Sequence, residues 1–321
     1  MPTFCLVLII IAAALLALLI LYSLAANLLI RRSIHRHRRK RGLKDASDAF
    51  KKAIAALETG YLEETDSAKS WFDEQTIKVA EIVSPDGILL KSAVVLNENK
   101  TNKWALICHG YTSNHRDMLT VAKRFYGYGC NIILPDLRAH GKSGGKYIGM
   151  GWLDKNDVLQ WLDYIKENYP DACVVLYGIS MGGATVMMTA GENHPSVAAV
   201  VEDCGYTSVY DIMKYQLKMQ FKLPEMPLMH TASVISKKLA GYDWRTCSAV
   251  EQVKKCKVPM LFIHGDKDTF VPYEMLMPLY NAASCEKEML SVPNATHGLA
   301  AATNPTLYWD TVSAFLSKFF L

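Results

Sequence analysis

The apolar positions of the chain change their period along its length. Residues 4–30 carry no charged side chain. A helix of that length, at about 1.5 Å per residue, reaches roughly 40 Å and exceeds the roughly 30 Å of bilayer hydrocarbon. Residues 43–59 show helical apolar spacing, and Gly60 is placed to end that helix. We therefore expect a membrane-spanning helix with a basic flank over residues 1–41, and a linker helix within residues 42–75.

Beyond residue 76 the pattern indicates a sheet. Two strand-like stretches, 76–83 and 88–96, are joined by a Ser-Pro-Asp-Gly turn. Short apolar runs then alternate with helical stretches, at residues 104–108, 131–134, 172–177, 197–201, 258–264 and 288–292. Continuous apolar strands between helices are typical of a parallel sheet covered on both faces. We predict an α/β domain over residues 76–321 with an eight-stranded, mostly parallel sheet and an antiparallel edge.

The alternation breaks between residues 205 and 253. This stretch is rich in Met, Lys and aromatic residues. We predict a helical cap over the carboxyl ends of the strands, where open α/β sheets bind ligands. Its apolar side chains are candidates for an adaptable acyl-chain pocket, although packing onto the core explains them equally well: Met213, Met219, Phe221, Leu223, Met226 and Met229.

The charge distribution bears on location and partners. Seven Lys or Arg residues and no acidic residue lie between residues 31 and 41. The whole chain has 35 Lys and Arg, so the rest of the chain has 28 of them against 31 Asp and Glu, a net charge of −3. A mildly acidic domain without a basic face argues against nucleic acid as a partner. The basic flank follows the apolar run, and no cation precedes it, so we expect an anchor with the α/β domain in the cytoplasm. The alternative is a cleaved signal peptide, with Ser23-Leu24-Ala25 as the cleavage site.

The eight cysteines are scattered singly, without metal-ligand spacing. We expect buried free thiols and no bound metal.

A serine flanked by glycines follows the strand at 172–177. The sequence Gly-Ile-Ser-Met-Gly at residues 178–182 places Ser180 on a tight turn before a helix that begins at Met181. Such a turn pushes the hydroxyl out of the sheet, and the crowded backbone requires flanking residues that lack side chains. The positive end of the helix dipole points at the same spot. Ser180 is therefore the candidate nucleophile.

A serine hydroxyl needs a base, and an imidazole base needs a carboxylate that fixes its tautomer. His297 follows the last predicted strand, and Asp268 follows the strand at 258–264. We assign His297 as the base and Asp268 as the orienting acid, with Asp266 capping the turn. Asp203 is an alternative acid, because it follows a neighbouring strand.

Four further histidines are weaker candidates. His109 and His140 stand near predicted strand tips and are expected to be structural. His194 lies at a helix end and His230 in the cap, so neither is expected to act in catalysis.

The order of nucleophile, acid and histidine resembles the α/β-hydrolase superfamily over residues 76–321. The chain is similar to bacterial membrane-anchored hydrolases near the dienelactone-hydrolase and monoacylglycerol-lipase-like branches. His-Gly-Tyr at residues 109–111 resembles the family's oxyanion loop, which implies that the backbone N–H groups of Tyr111 and Met181 hold the developing oxyanion. The single glycine after His109 differs from the triple-glycine loop of some esterases. The serine nucleophile differs from the aspartate of haloalkane dehalogenases and epoxide hydrolases.

The resemblance implies a serine hydrolase that cleaves a carboxylic ester or thioester through an acyl-enzyme. No cofactor is expected, and the expected substrate is a small-molecule or lipid acyl compound. Two alternatives stay open: a peptidase of small peptides, and a non-catalytic sensor that retains the fold to bind a ligand.

Overall fold

A computed structural model describes residues 3–36, 57 and 60–321. The predicted linker helix at 43–59 lies outside the described residues, apart from residue 57, as does the part of the basic flank at 37–41.

The chain begins with one long helix, α1 (Thr3–Ile34), whose uniformly apolar composition makes it a candidate membrane span. Residues 3–21 lie on the outside of the molecule, whereas Ala26, Ile30 and Ile34 are completely buried. These three positions are four residues apart and so share one helix face. That face packs against a helix of the cap, which makes the end of α1 part of the folded domain.

A second helix, α2 (Gly60–Glu74), was not predicted, because its mostly polar sequence offers only a narrow apolar face. Ala68 and Phe72, one turn apart, are the buried positions of that face. This face packs beside α3 (Leu119–Gly127), and Arg116 and Arg124 form surface ion pairs with Asp73 and Glu64 of α2.

The domain is built on one sheet of eight strands in the order β1-β2-β4-β3-β5-β6-β7-β8. The β1–β2 and β2–β4 pairs are antiparallel and the remaining pairs are parallel, so the eight-stranded, mostly parallel prediction is confirmed. The strands are β1 (Ile77–Val83), β2 (Leu89–Val95), β3 (Lys103–Cys108), β4 (Asn131–Asp136), β5 (Cys173–Ile179), β6 (Val197–Asp203), β7 (Met260–Gly265) and β8 (Lys287–Val292).

Helices cover both faces of this sheet, and the inner strands are buried along almost their whole length. One apolar core contains side chains of α1, the cap and the helices after β4 and β5; the other contains side chains of α2, α3 and the last helix. Outside the cap the helices are α3 (Leu119–Gly127), α4 (Asp154–Asn168), α5 (Met181–Ala190), α8 (Ala249–Val253), α9 (Leu276–Ala282), α10 (Ala300–Thr303) and α11 (Pro305–Phe319).

The segment after β6 forms the predicted helical cap. It contains α6 (Val209–Gln216), a π-helical turn (Leu217–Phe221), and α7 (Leu228–Ala240), the helix on which α1 packs. Ser208 begins α6 by accepting a hydrogen bond from the Asp211 N–H. Gly241, in the left-handed conformation, ends α7.

Candidate active site

Ser180 sits on a strained turn between β5 and α5. Its backbone has φ 60° and ψ −118°, a conformation that non-glycine residues rarely adopt. A Cβ on Gly178 would lie 2.2 Å from the Gly182 carbonyl oxygen, and one on Gly182 would lie 2.1 Å from the Cys108 carbonyl oxygen. Only glycine fits at either position, so steric crowding accounts for the spacing of the motif.

The structure brings Ser180, His297 and Asp268 into one hydrogen-bonded line. His297 Nε2 lies 2.8 Å from Ser180 Oγ, and His297 Nδ1 lies 2.7 Å from Asp268 Oδ2. The backbone N–H groups of Phe270 and Val271 donate to Asp268 Oδ1 at 2.8 and 3.0 Å. The carboxylate is therefore held from both sides, with one oxygen aimed at the imidazole.

Electrostatics keep the Asp268 carboxyl ionised. Burial acts to raise its pKa, but hydrogen bonds from His264 and His297 outweigh burial and lower the pKa to about 2. A carboxylate charged at neutral pH favours the proton on the Nδ1 atom of His297. Nε2 is then free to accept the Ser180 proton.

His264, a residue to which the sequence analysis gave no role, lies against the same carboxylate. It is completely buried, and its Nε2 lies 3.3 Å from Asp268 Oδ2 and 3.0 Å from the Val271 carbonyl oxygen. Burial acts to lower its pKa, but Asp268 and the nearby Glu202 outweigh burial and raise it. The one sequence signal was its place at the end of β7, four residues before Asp268.

The loop after β3 approaches Ser180 from the other side. A Cβ on Gly110 would lie 3.5 Å from Ser180 Cβ, so the backbone of this loop passes directly over the serine. The first-turn N–H groups of α5, that of Met181 among them, have no acceptor within their own helix. Tyr111 and Met181 both line the cavity that contains Ser180, and their role as oxyanion donors stays a prediction.

His109 and His140 brace this loop. The Leu137 N–H donates to His109 Nε2 at 3.0 Å, and the Thr112 N–H donates to His140 Nε2 at 3.2 Å. Burial lowers the pKa of both, that of His140 to about 3, so they stay neutral and can accept these bonds. Their geometry fits the structural role expected from the sequence.

The weaker candidates lie elsewhere. Asp203 accepts a hydrogen bond from the Tyr308 hydroxyl at 2.9 Å, while the carboxylate that contacts His297 belongs to Asp268. Asp266 accepts from the Asn294 N–H at 2.6 Å and so ties the β7 turn to the histidine loop. His194 lies 3.2 Å from Asp163 near the surface, and His230 lies 3.1 Å from Arg245 in the cap.

All eight cysteines are free thiols; five are buried, and Cys5, Cys173 and Cys285 are partly exposed. Within the described residues, Cys204 stands with Asp268 and His297 in a group whose ligand atoms lie within 4.8 Å of one another. Burial raises the pKa of the Cys204 thiol well above its ordinary value, and the other two side chains are bonded to each other. This group is therefore poorly suited to hold a metal ion.

A cavity of about 570 Å³ lies above Ser180. Among the described residues its lining is mostly apolar, with Arg32 as the charged side chain and no acid: Leu29, Arg32, Ser33, Tyr111, Thr112, Met150, Ser180, Met181, Tyr206, Ile212, Met213, Gln216, Leu217, Gln220, Phe221, Phe270 and Val271. Of the predicted acyl-pocket residues, Met213 and Phe221 line it. Met219, Leu223 and Met226 are exposed, and Met229 is buried in the core.

Comparison of the sequence with those of known proteins indicates the family of this chain. The sequence pattern described as "Serine aminopeptidase, S33" matches residues 99–209. The uncharacterized protein YqkD of Bacillus subtilis is 30% identical over 79% of this chain and 85% of its own length. A monoacylglycerol lipase of Mycolicibacterium smegmatis is 23% identical over 66% of this chain and 86% of its own length.

A solved structure agrees with these relatives. The Pyrococcus furiosus esterase Pf2001 has a TM-score of 0.62 and 26% sequence identity, and the match covers 77% of this chain and 92% of that one. With its fold and relatives, the chain belongs to the α/β-hydrolase superfamily and is a hydrolase.

Proposed function

We propose that the protein is a serine carboxylesterase, which cleaves a carboxylic ester or thioester through an acyl-enzyme. The observation that carries the proposal is the line of two short hydrogen bonds from Ser180 through His297 to Asp268. The esterase and lipase relatives favour an ester over other substrates of the fold.

The chemistry follows from this line. Ser180 Oγ attacks the acyl carbonyl carbon while His297 Nε2 takes its proton, and Asp268 stabilises the imidazolium that forms. The backbone N–H groups of Tyr111 and Met181 receive the negative oxygen, and each such donor is typically worth about 3 kcal/mol. His297 then protonates the leaving alcohol or thiol. Water, activated by the same imidazole, attacks the acyl-enzyme and releases the carboxylic acid.

The cavity lining favours esters over small peptides. A peptidase that recognises a free α-amino group needs a negative partner for it, and the described lining contains no acid. The apolar walls suit an acyl chain. A non-catalytic sensor would need neither the strained serine nor its aligned base and acid.

Substitution of the nucleophile tests the proposal. We expect Ser180→Ala to abolish hydrolysis of p-nitrophenyl butyrate and covalent labelling by a fluorophosphonate probe. Ser317→Ala, on the exposed surface of α11, serves as the matched control and should behave as wild type. Persistent labelling of Ser180→Ala would place the nucleophile elsewhere, and absent labelling of the wild type would favour the sensor.

We also propose that α1 anchors the protein with its catalytic domain in the cytoplasm. The cations Arg31, Arg32 and Arg36 follow the apolar run, and cations next to a first span stay on the cytoplasmic side. A reporter fused after Leu321 tests this: green fluorescent protein should fluoresce and alkaline phosphatase should be inactive. An inactive fluorescent protein and an active phosphatase would show that the catalytic domain lies on the opposite side of the membrane.

A further inference from the structure

The last turns of α1 belong to the catalytic domain. Beyond the buried face formed by Ala26, Ile30 and Ile34, the Ile148 N–H donates to the Ile34 carbonyl oxygen at 2.6 Å. The Arg36 guanidinium donates to the carbonyl oxygens of Ser143 and Gly141 at 2.8 and 3.0 Å. Apolar packing and directed hydrogen bonds together fix the helix end to the domain.

The remainder of α1 has the length of a membrane span. At about 1.5 Å per residue, residues 3–21 reach about 28 Å, close to the roughly 30 Å of bilayer hydrocarbon. Tyr22 follows directly, at the position where aromatic side chains favour the membrane–water interface. Since packing against the domain begins at this residue, the domain lies directly on the membrane surface.

The cap helix α7 starts at the membrane-side end of this contact. Tyr22 lies beside Thr231, in the first turn of α7. Beyond the other end of α7, the Tyr242 hydroxyl donates to the carbonyl oxygen of Ile148, the residue bonded to Ile34. The helices α1 and α7 therefore run in the same direction.

The segment that precedes α7, residues 217–227, accordingly lies at the membrane-side end; we call it the cap tip. Its Met219 and Met226 are 54% and 59% exposed, and Phe221 and Leu223 are also exposed. Lys218 and Lys222 stand among these apolar side chains. Such a mixture of exposed apolar and basic side chains, beside a helix that enters the bilayer, is typical of a surface that inserts into the headgroup layer.

The cavity above Ser180 lies between α1 and the cap tip. Leu29 and Ser33 of α1 line one wall, and Gln220 and Phe221 of the cap tip line another. The Tyr111 hydroxyl donates to the Ser33 carbonyl oxygen at 2.8 Å, so the loop that carries the expected oxyanion donor is bonded to the end of α1. One helix thus contributes both the membrane span and a wall of the substrate site.

We propose that this cavity opens at the membrane surface and takes an ester with a single acyl chain from the adjacent leaflet, with Leu29 of α1 forming part of the acyl-binding wall. The proposal rests on the esterase function proposed above and adds the source of the substrate. A volume of about 570 Å³ lies within the 300–1,000 Å³ typical of pockets for one small ligand. The mostly apolar lining favours binding of the ester's acyl chain.

Two adjacent leucines provide the test. Leu29 lines the cavity, whereas Leu28, at nearly the same height along α1, is 68% exposed. With full-length protein in phospholipid vesicles, we would measure the ratio of kcat/KM for p-nitrophenyl laurate to that for p-nitrophenyl butyrate. We expect Leu29→Trp to lower this ratio at least tenfold and Leu28→Trp to leave it unchanged. Equal ratios for Leu28→Trp and Leu29→Trp would overturn the proposal.

Contact of the cap tip with lipid is tested separately. Brominated phospholipid should quench the fluorescence that Met226→Trp adds to that of the six native tryptophans. It should not quench the fluorescence added by Met289→Trp, at a residue that is 40% exposed on the edge strand β8. Equal quenching at both sites would contradict the membrane-facing cavity. Fluorophosphonate labelling of the wild type separates the two proposals. Absence of labelling would contradict the esterase function. Labelling together with an unchanged laurate-to-butyrate ratio in Leu29→Trp would contradict only the role of α1.

Discussion

At the scale of single residues, two buried carboxyls at neighbouring strand ends compete for the role of orienting acid. Asp268 is ionised and contacts His297, whereas burial raises the pKa of Asp203 to about 6 and its Oδ2 is engaged by Tyr308. An acid with a pKa of about 6 is still largely ionised at neutral pH, so charge alone does not separate the two. The contact with His297 is what favours Asp268.

Amide substitutions distinguish the two acids. We expect Asp268→Asn to lower kcat for p-nitrophenyl butyrate by several orders of magnitude, on the order of 10⁴-fold as in the serine-protease template, because the amide fixes the wrong tautomer of the base. Asp203→Asn should keep kcat within about threefold, with the Tyr308 bond preserved by the amide oxygen. Steady-state kinetics on both variants, with thermal unfolding as a folding check, give the answer. A larger loss for Asp203→Asn would reverse the assignment.

The sequence was informative for these residues to different degrees. Ser180 and His297 were predicted because each lies in a recognisable local sequence pattern: a glycine-flanked serine after a strand, and a histidine after the last strand. The one signal for His264 was its place near the end of β7, four residues before Asp268, and that position resembles any other buried strand residue. Side-chain contacts of this kind depend on tertiary packing, which a single sequence does not specify.

At the scale of elements, all eight strands followed from apolar periodicity and from the turn signal at the first hairpin. The docking of α1 was not foreseen. Ala26, Ile30 and Ile34 have the spacing of a buried face, but they lie in a run so uniformly apolar that no face stands out. A lipid-facing residue and a protein-facing residue have the same hydrophobic signature, so only the partner helix α7 reveals the difference.

The helix α2 was missed for the opposite reason. Its interior contacts reduce to Ala68 and Phe72, and its remaining surface is polar, so the apolar signal was too weak to indicate a helix. Its charged pairs with Arg116 and Arg124 are largely exposed to solvent and add little to these two contacts. These partners are distant in the sequence, and pairing across such a distance leaves no local pattern.

At the scale of the whole molecule, the carboxyl ends of the central strands gather buried acids that favour the neutral form. Burial raises the pKa of Glu202 to about 8 and that of Asp154 to about 7. Glu202 accepts one hydrogen bond, from the Gly205 N–H at 2.9 Å, and its second oxygen has no partner among the described residues. A carboxyl held neutral in the fold, with an ordinary pKa once unfolded, makes stability depend on pH.

The direction of this dependence follows from proton binding. Because the folded-state pKa of Glu202 is raised, the folded protein binds the extra proton, so the stabilising contribution is complete below the ordinary pKa of about 4.3. The contribution is lost progressively as pH rises to about 8. Each pKa unit corresponds to about 1.4 kcal/mol, so the loss from this group amounts to a few kcal/mol.

Glu202→Gln removes this titration and keeps a neutral side chain of the same shape that can accept the Gly205 bond. We therefore expect the Tm of the variant minus that of the wild type to increase steadily from pH 5 to pH 8. Glu288→Gln, at a carboxylate that pairs with Lys318 near the surface, provides the control and should show a difference that hardly changes with pH. A pH-independent difference for Glu202→Gln would mean that this carboxyl is already ionised in the fold. Glu202 would then carry a buried negative charge, and a protonated His264 would be needed to neutralise it.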